Sequence, residues 1–383
     1  MKNSVSLILS GLILAAAIPA AGAVPAADGG LSLSCASAVL MEKETGTFLL
    51  EENSHEKLEP ASVTKIMTLL LVMEAVDSGQ LSKDDLVTVS AYAAGMGGSQ
   101  VYLEEGEQMP VSEMLKCVTV VSGNDCAVAL AEHVAGSEGA FVARMNQRAQ
   151  ELGMADTNFL NCTGLPAQGH VTSAHDIALM SRELILNHPS IREYTTIWMD
   201  AIRNGEFGLT NTNRLVRFYQ GATGLKTGFT SSAKYCMSAT AERDGMELIS
   251  VVMKSPTSNQ RFEDAKALLD YGFAHYAMVP VYPESPLAPV DVLLGTEAQV
   301  QPQPERDCRL LVRKGEEGQV TTRLSMATDV EAPVEKGQIL GRLEVYVGDE
   351  LRDAIPILSS RQVDRLSVPG IFTRMLRRLL MAG

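Results

Sequence analysis

The segment after Pro60 constrains the fold most. Residues 61–77 include Ile66, Met67, Leu69, Leu70, Leu71, Val72 and Met73. A helix that is apolar on most of its sides has no face to offer water, so it must run through the middle of a domain. The rest of that domain has to be layered around it. Ahead of it, residues 36–41 and 47–51 are two short apolar-rich runs about Glu42-Lys43-Glu44-Thr45-Gly46, a hairpin signal. Behind it come helical patterns from Ser112, over 125–134 and over 138–152. The last two stop at Gly136 and Gly153, the usual C-terminal breakers. Ser173-Ala-His-Asp176 caps a further helix through Leu186. Strand patterns return at 226–228, 235–241 and 247–253, and a helix over 260–273 closes the region. Strands, a helical block and strands again predict an α+β domain over 31–276, an antiparallel sheet carrying a helical cluster.

The composition changes after Tyr276. Pro280, Pro283, Pro286 and Pro289 punctuate a linker or edge strand. Short alternating runs at 290–294, 309–312, 319–324, 339–347 and 355–358 then predict a small all-β sandwich over 280–362. In the tail, 366–383, Ile371, Phe372, Met375, Leu376, Leu379 and Leu380 share one side of a helical wheel, and Arg374, Arg377 and Arg378 occupy the other. A basic amphipathic terminal helix predicts a membrane-surface anchor. At the other end, Lys2, the apolar run 5–20 and Ala21-Gly22-Ala23 predict a signal peptide over 1–23, with the mature chain starting near Val24.

With 46 acidic against 32 basic residues the chain carries a net charge of −14, which excludes a nucleic-acid binder, whose phosphate contacts need a basic surface. Six scattered histidines, without HExxH and without paired cysteine spacing, point to no metal site, and nothing calls for a cofactor. Export permits disulfides. The six cysteines (35, 117, 126, 162, 236 and 308) show no spacing that selects a framework, and we expect free thiols in a chain large enough to be held by its core.

Three short motifs carry chemistry. Ser62-Val-Thr-Lys65 opens the apolar helix. A hydroxyl at a helix N-terminus lies beside backbone N–H groups that can hold a developing oxyanion, and a lysine one turn on shares its face. Desolvated, that lysine can act as the base for the serine. Ser54-His-Glu-Lys57 and Ser231-Ser-Ala-Lys234 repeat the spacing but lie in a polar stretch and a turn, and read as surface residues. Ser122-Gly-Asn124 sits in a tight connection between helices, where a hydroxyl can relay a proton and a carboxamide can hold a substrate amide. Lys226-Thr-Gly228 starts a strand. Its lysine offers a cation to a carboxylate, its threonine a hydroxyl, and its glycine close approach.

In this order, 60 and 104 residues apart, the motifs resemble the SxxK, SxN and KTG triad of the penicillin-recognising serine enzymes, and in particular the low-molecular-mass penicillin-binding proteins of the penicillin-binding protein 5 type, serine D-alanyl-D-alanine carboxypeptidases. The context of each motif, Gly164-Leu165, Ala174-His-Asp176, the β domain with Ala332-Pro-Val-Glu-Lys-Gly337 and the tail are similar to that family as well. The resemblance implies a penicillin-binding/β-lactamase-like fold. It implies hydrolysis of the terminal D-Ala from peptidoglycan stem pentapeptides through a Ser62 acyl-enzyme, with β-lactams as covalent ligands. Lys65 would be the base and Ser122 a proton relay. Asn124 would hold the stem peptide, and Lys226 and Thr227 the terminal carboxylate. The backbone N–H groups of Ser62 and of Phe229, which follows Gly228, would form the oxyanion hole. Phe229 stands where members of the family often carry histidine, and Arg261 is a further carboxylate contact. Two other readings use the same triad: a β-lactamase, for which Glu183-Leu-Ile-Leu-Asn187 offers a Glu-x-x-Leu-Asn match inside a helix, and a catalytically weak penicillin-binding scaffold.

Overall fold

A computed structural model describes residues 31–283 and 285–373. The expected signal peptide and most of the expected tail helix lie outside them. Residues 368–373 begin a helical turn that exposes Val368 and Phe372.

The first domain is built on five antiparallel strands: β1 (Ser37–Glu42), β2 (Phe48–Glu52), β3 (Ala222–Thr230), β4 (Lys234–Arg243) and β5 (Met246–Ser255), in the order β2-β1-β5-β4-β3. Strand side chains alternate between faces, so the sheet feeds two cores. Val39, Met41, Val251 and Met253 point into the helical cluster. Ala38, Leu40, Leu248 and Val252 point the other way, against Phe262, Leu268 and Leu269 of the closing helix.

The helical block between β2 and β3 comprises α1 (Lys65–Asp77), α2 (Val111–Val120), α3 (Asn124–Ala135), α4 (Glu138–Glu151) and α5 (Ala174–Asn187), and α6 (Ser258–His275) closes the domain. In α1 every residue from Lys65 to Met73 is buried, as its composition requires. Ser137, Ser173 and Thr257 cap α4, α5 and α6 through their hydroxyls. One boundary differs from the sequence expectation. Residues Ala61–Thr64 form a separate 3-10 turn before α1, entered through Ala61 at φ 49°. Tertiary contact sets that turn. A side chain on Gly164 (φ +83°) would overlap the Ala61 carbonyl.

After α6 the chain passes directly into β6 (Tyr276–Pro280), paired with β7 (Arg309–Arg313). A four-stranded sheet follows, in which β8 (Val320–Met326), β9 (Ile339–Val347) and β10 (Glu350–Ser359) are joined at the edge by Pro302–Pro304. Val290–Leu293 forms a small third sheet with Gln299–Val300 and Asp329–Glu331. Leu310, Val312, Leu343, Val345, Ile355 and Ile357 make the core between these sheets. The all-β architecture matches the sequence reading, while the first half of β10 is polar and gave no signal.

Candidate active site

The three motifs converge on the exposed side of edge strand β3. The 3-10 turn bearing Ser62 lies flat against Gly228, where a Cβ would meet Pro60 O at 2.8 Å and the Ser62 and Val63 nitrogens at 3.0 Å. Only glycine lets the strand and the turn approach this closely. The Ser62 N–H is thereby placed against the Lys-Thr-Gly strand.

Lys65 sits at the start of α1 and is fully buried. Its Nζ donates to Ser62 Oγ at 3.0 Å, to Asn124 Oδ1 at 2.6 Å and to the Thr163 carbonyl at 2.8 Å. All three acceptors are neutral. Burial lowers its pKa to about 7, opposed only by weaker attractions to Cys162 and Asp125. An amine poised near neutrality 3.0 Å from a hydroxyl is a base for that hydroxyl.

Ser122 occupies the turn between α2 and α3 at φ 65°, a conformation that non-glycine residues adopt at a cost. Its Oγ is buried with no hydrogen-bond partner. Asn124 begins α3 and uses both ends of its amide, accepting from Lys65 and donating to Gly97 O at 2.6 Å. Lys226, 1 % exposed, donates to the Thr227 carbonyl at 3.1 Å. Burial, then the charges of Lys65 and Arg261, hold it well below the usual lysine range. Thr227 Oγ1 donates to Thr212 Oγ1 at 2.8 Å.

Phe229 is half-exposed at the mouth, its ring 4.4 Å from that of Tyr235. Arg261 reaches across from α6 and donates to the Gly228 carbonyl at 3.2 Å. It lies over Phe262 and Tyr235, and burial lowers its pKa to about 10. Direct contacts thus bring Ser62, Lys65, Asn124 and Gly228 together, with Ser122 in the turn next to Asn124 and Arg261 behind the strand at its backbone. Among the described residues none of Lys65, Lys226 and Arg261 forms an ion pair.

Sequence reasoning missed the scaffold beneath them. Asn161 Oδ1 accepts from the Thr163 and Gly164 nitrogens, shaping the loop whose Thr163 carbonyl receives Lys65. Asp125 Oδ2 accepts from the Val101 and Leu103 nitrogens and docks the loop that contacts Asn124. The Asn-Cys-Thr-Gly run at 161–164 has the composition of an Asx turn and was the available signal.

The family follows from the sequence over this constellation. The pattern of the D-alanyl-D-alanine carboxypeptidase family, peptidase S11, matches residues 23–257, and that of the penicillin-binding protein 5 C-terminal domain matches 276–365. The chain belongs to the S11 D-alanyl-D-alanine carboxypeptidases. It is 41 % identical over 374 residues to D-alanyl-D-alanine carboxypeptidase DacF of Bacillus subtilis, covering 95 % of each chain. It is 31 % identical to DacA of Escherichia coli, covering 85 % of this chain and 83 % of that one. Among solved structures, penicillin-binding protein 5 of Haemophilus influenzae superposes with a TM-score of 0.74 at 29 % identity, over 88 % of this carboxypeptidase and 99 % of that chain. Penicillin-binding protein D2 of Listeria monocytogenes in its ampicillin-bound form matches at 34 % identity and a TM-score of 0.59, over 64 % of this chain and all of that one. The β-lactamase reading is not favoured. Glu183 lies on α5, where its carboxylate takes Arg148 at 2.6 Å and Asn187 at 3.0 Å, the surroundings of a helix-surface ion pair.

Proposed function

We propose that this S11 carboxypeptidase acts through Ser62 as the acylated nucleophile and Lys65 as its base. Ser62 Oγ attacks the carbonyl carbon of the penultimate D-Ala and passes its proton to neutral Lys65. The oxyanion is held by the backbone N–H groups of Ser62 and Phe229. Ser122 relays the proton to the leaving amine of the terminal D-Ala, and water then hydrolyses the ester, with the same groups running in reverse. Lys226 and Thr227 bind the terminal carboxylate and Asn124 the stem peptide. A side chain at position 229 is needed only for its backbone, so phenylalanine in place of histidine leaves the oxyanion hole intact. Arg261 fixes the Gly228 carbonyl and adds positive potential for the carboxylate.

The observation that carries this reading is the 3.0 Å contact between Ser62 Oγ and a buried lysine with a pKa of about 7. β-Lactams, whose strained amide mimics the scissile bond, acylate the same serine. After benzylpenicillin treatment, intact-mass analysis and peptide mapping should place one adduct on Ser62. An adduct on Ser54 or Ser231, or none, contradicts the assignment. The finer setting follows from the termini. The signal peptide exports the enzyme, and the basic amphipathic tail holds it at the outer face of the cytoplasmic membrane, within reach of wall precursors.

A further inference from the structure

His170 is only 2 % exposed and joins two of the segments that Lys65 touches, yet the chemistry above gives it no part. Its ring is held through both nitrogens. Nδ1 takes the Leu160 N–H at 3.1 Å, and since a backbone amide can only donate, Nδ1 carries no proton. In a neutral ring the proton is then on Nε2, which donates to Thr64 Oγ1 at 2.8 Å. Burial keeps the ring neutral, lowering its pKa to about 4 against an opposing attraction to Glu59. Phe159 meets the ring edge to face, 5.8 Å between centroids.

Both hydrogen-bond partners adjoin the reacting groups. Thr64 ends the 3-10 turn, between Ser62 and Lys65, and its buried hydroxyl caps no helix. Leu160 enters the loop whose Thr163 carbonyl receives Lys65 Nζ at 2.8 Å. Val171 pairs with Asn158 and closes the base of that loop, so the backbone from which the imidazole projects is itself fixed. We propose that His170 is a positioning residue for acylation: by holding the Thr64 hydroxyl and the Leu160 amide together it sets the spacing between the Ser62 turn and the Thr163 loop, and so aims Lys65 at Ser62 Oγ. This rests on the reading of Ser62 and Lys65 as nucleophile and base. Lys65 Nζ is held by neutral acceptors from three segments, the turn, the start of α3 and the loop, and its aim is only as good as their spacing. A misplacement of about 1 Å can cost on the order of 100-fold in rate. Thr68, which donates to the Cys162 carbonyl at 2.6 Å, still docks the loop on α1 when His170 is changed. Loss of the imidazole therefore loosens the alignment and leaves the fold in place.

The test is a double-mutant cycle on the full-length enzyme with His170→Leu and Thr64→Val, each of which removes the hydrogen bond between the two side chains. Stopped-flow acylation over a range of benzylpenicillin concentrations separates the first-order acylation constant from the dissociation constant of the complex that precedes it. Urea unfolding refers both to folded molecules, and peptide mapping locates the adduct. Each single variant should lose about 10- to 100-fold in the acylation constant, with the dissociation constant within about threefold of wild type. The double variant should be no slower than the slower single one, because the two changes break one link. Should His170→Leu fail to fold, Thr64→Val decides alone. An acylation constant within about twofold of wild type in a folded single variant, a loss confined to the dissociation constant, or losses that multiply in the double variant overturns the proposal. If the adduct lies on Ser62 throughout, such a result overturns the role of His170 alone; a wild-type adduct elsewhere overturns the assignment of Ser62 with it.

Discussion

Strand β3 borders two clusters of buried charge that are arranged in opposite ways. At its beginning, Thr223 donates to Glu247, a carboxylate only 2 % exposed. Burial alone would push that carboxyl up. Arg192 at 2.5 Å, Thr223 at 2.7 Å and Lys43 at 3.0 Å more than reverse it, and the group is held below the usual range. Three residues further on, Lys226 is as deeply buried, with Lys65 and Arg261 beside it, and among the described residues no carboxylate forms an ion pair with any of them. The first cluster is satisfied within the fold and is structural. The second has no such partner, and its lysines are held below their ordinary pKa; in the proposed mechanism the substrate's carboxylate is what would satisfy it. Where a buried cation lacks its counter-ion, the missing partner is the ligand.

Four substitutions or truncations separate these roles. The largest effect is expected from Lys65→Ala, which removes the base and should slow acylation by penicillin by about 10³-fold or more with the fold intact. Stopped-flow acylation and circular dichroism on the same sample check both halves. Glu247→Ala should do the reverse. Breaking this cluster costs about 3 kcal/mol in urea unfolding, at the low end for buried pairs because Lys43 and Arg192 keep partial access to water, while acylation per folded molecule is unchanged. If Glu247→Ala abolished acylation at full stability, the division between the clusters would fail.

Lys226→Ala should lower kcat/KM for carboxylate-bearing peptides by roughly 10- to 100-fold, the loss of a charge-assisted hydrogen bond. Ligands without the carboxylate should be affected far less, and an equal loss for both kinds would break the assignment. Truncation after Arg365 is expected to change hydrolysis of a soluble peptide least, within about twofold, while abolishing co-sedimentation with anionic liposomes. Detergent should release the intact protein better than salt does, since burial of the apolar face outweighs about 1 kcal/mol per arginine.

Much of this was legible in the sequence for physical reasons. Near-continuous apolar runs marked α1 and the two-sided strands, because burial on every side leaves no other composition. The triad was legible because each motif is local: Ser62 with Lys65 within one turn, Ser122 with Asn124 in one connection, and Lys226 to Gly228 on one strand. The remainder depends on distant contacts. The Ala61 turn is shaped by Gly164 and Gly228, and the Thr163 carbonyl reaches Lys65 across 98 residues of chain. The Glu247 cluster joins Lys43, Arg192 and Thr223, which have no common motif. Arg261 is placed at the Gly228 carbonyl by the packing of α6 on the sheet.

The central claim is that Lys65 works as a neutral amine at Ser62, and the pH dependence of acylation tests it most directly. The quantity to measure is the first-order acylation constant at saturating benzylpenicillin, whose carboxylate, bound by Lys226 as proposed, would keep that lysine protonated in the complex. Burial lowers Lys65 from the ordinary 10.5 to about 7, so its base form grows as pH rises through that value. The constant should climb about tenfold per pH unit on the acid side and level off above about pH 7 to 8. A constant that is flat from pH 5 to 9, or that falls through neutrality, would show that protonated Lys65 is the working form and contradict the account.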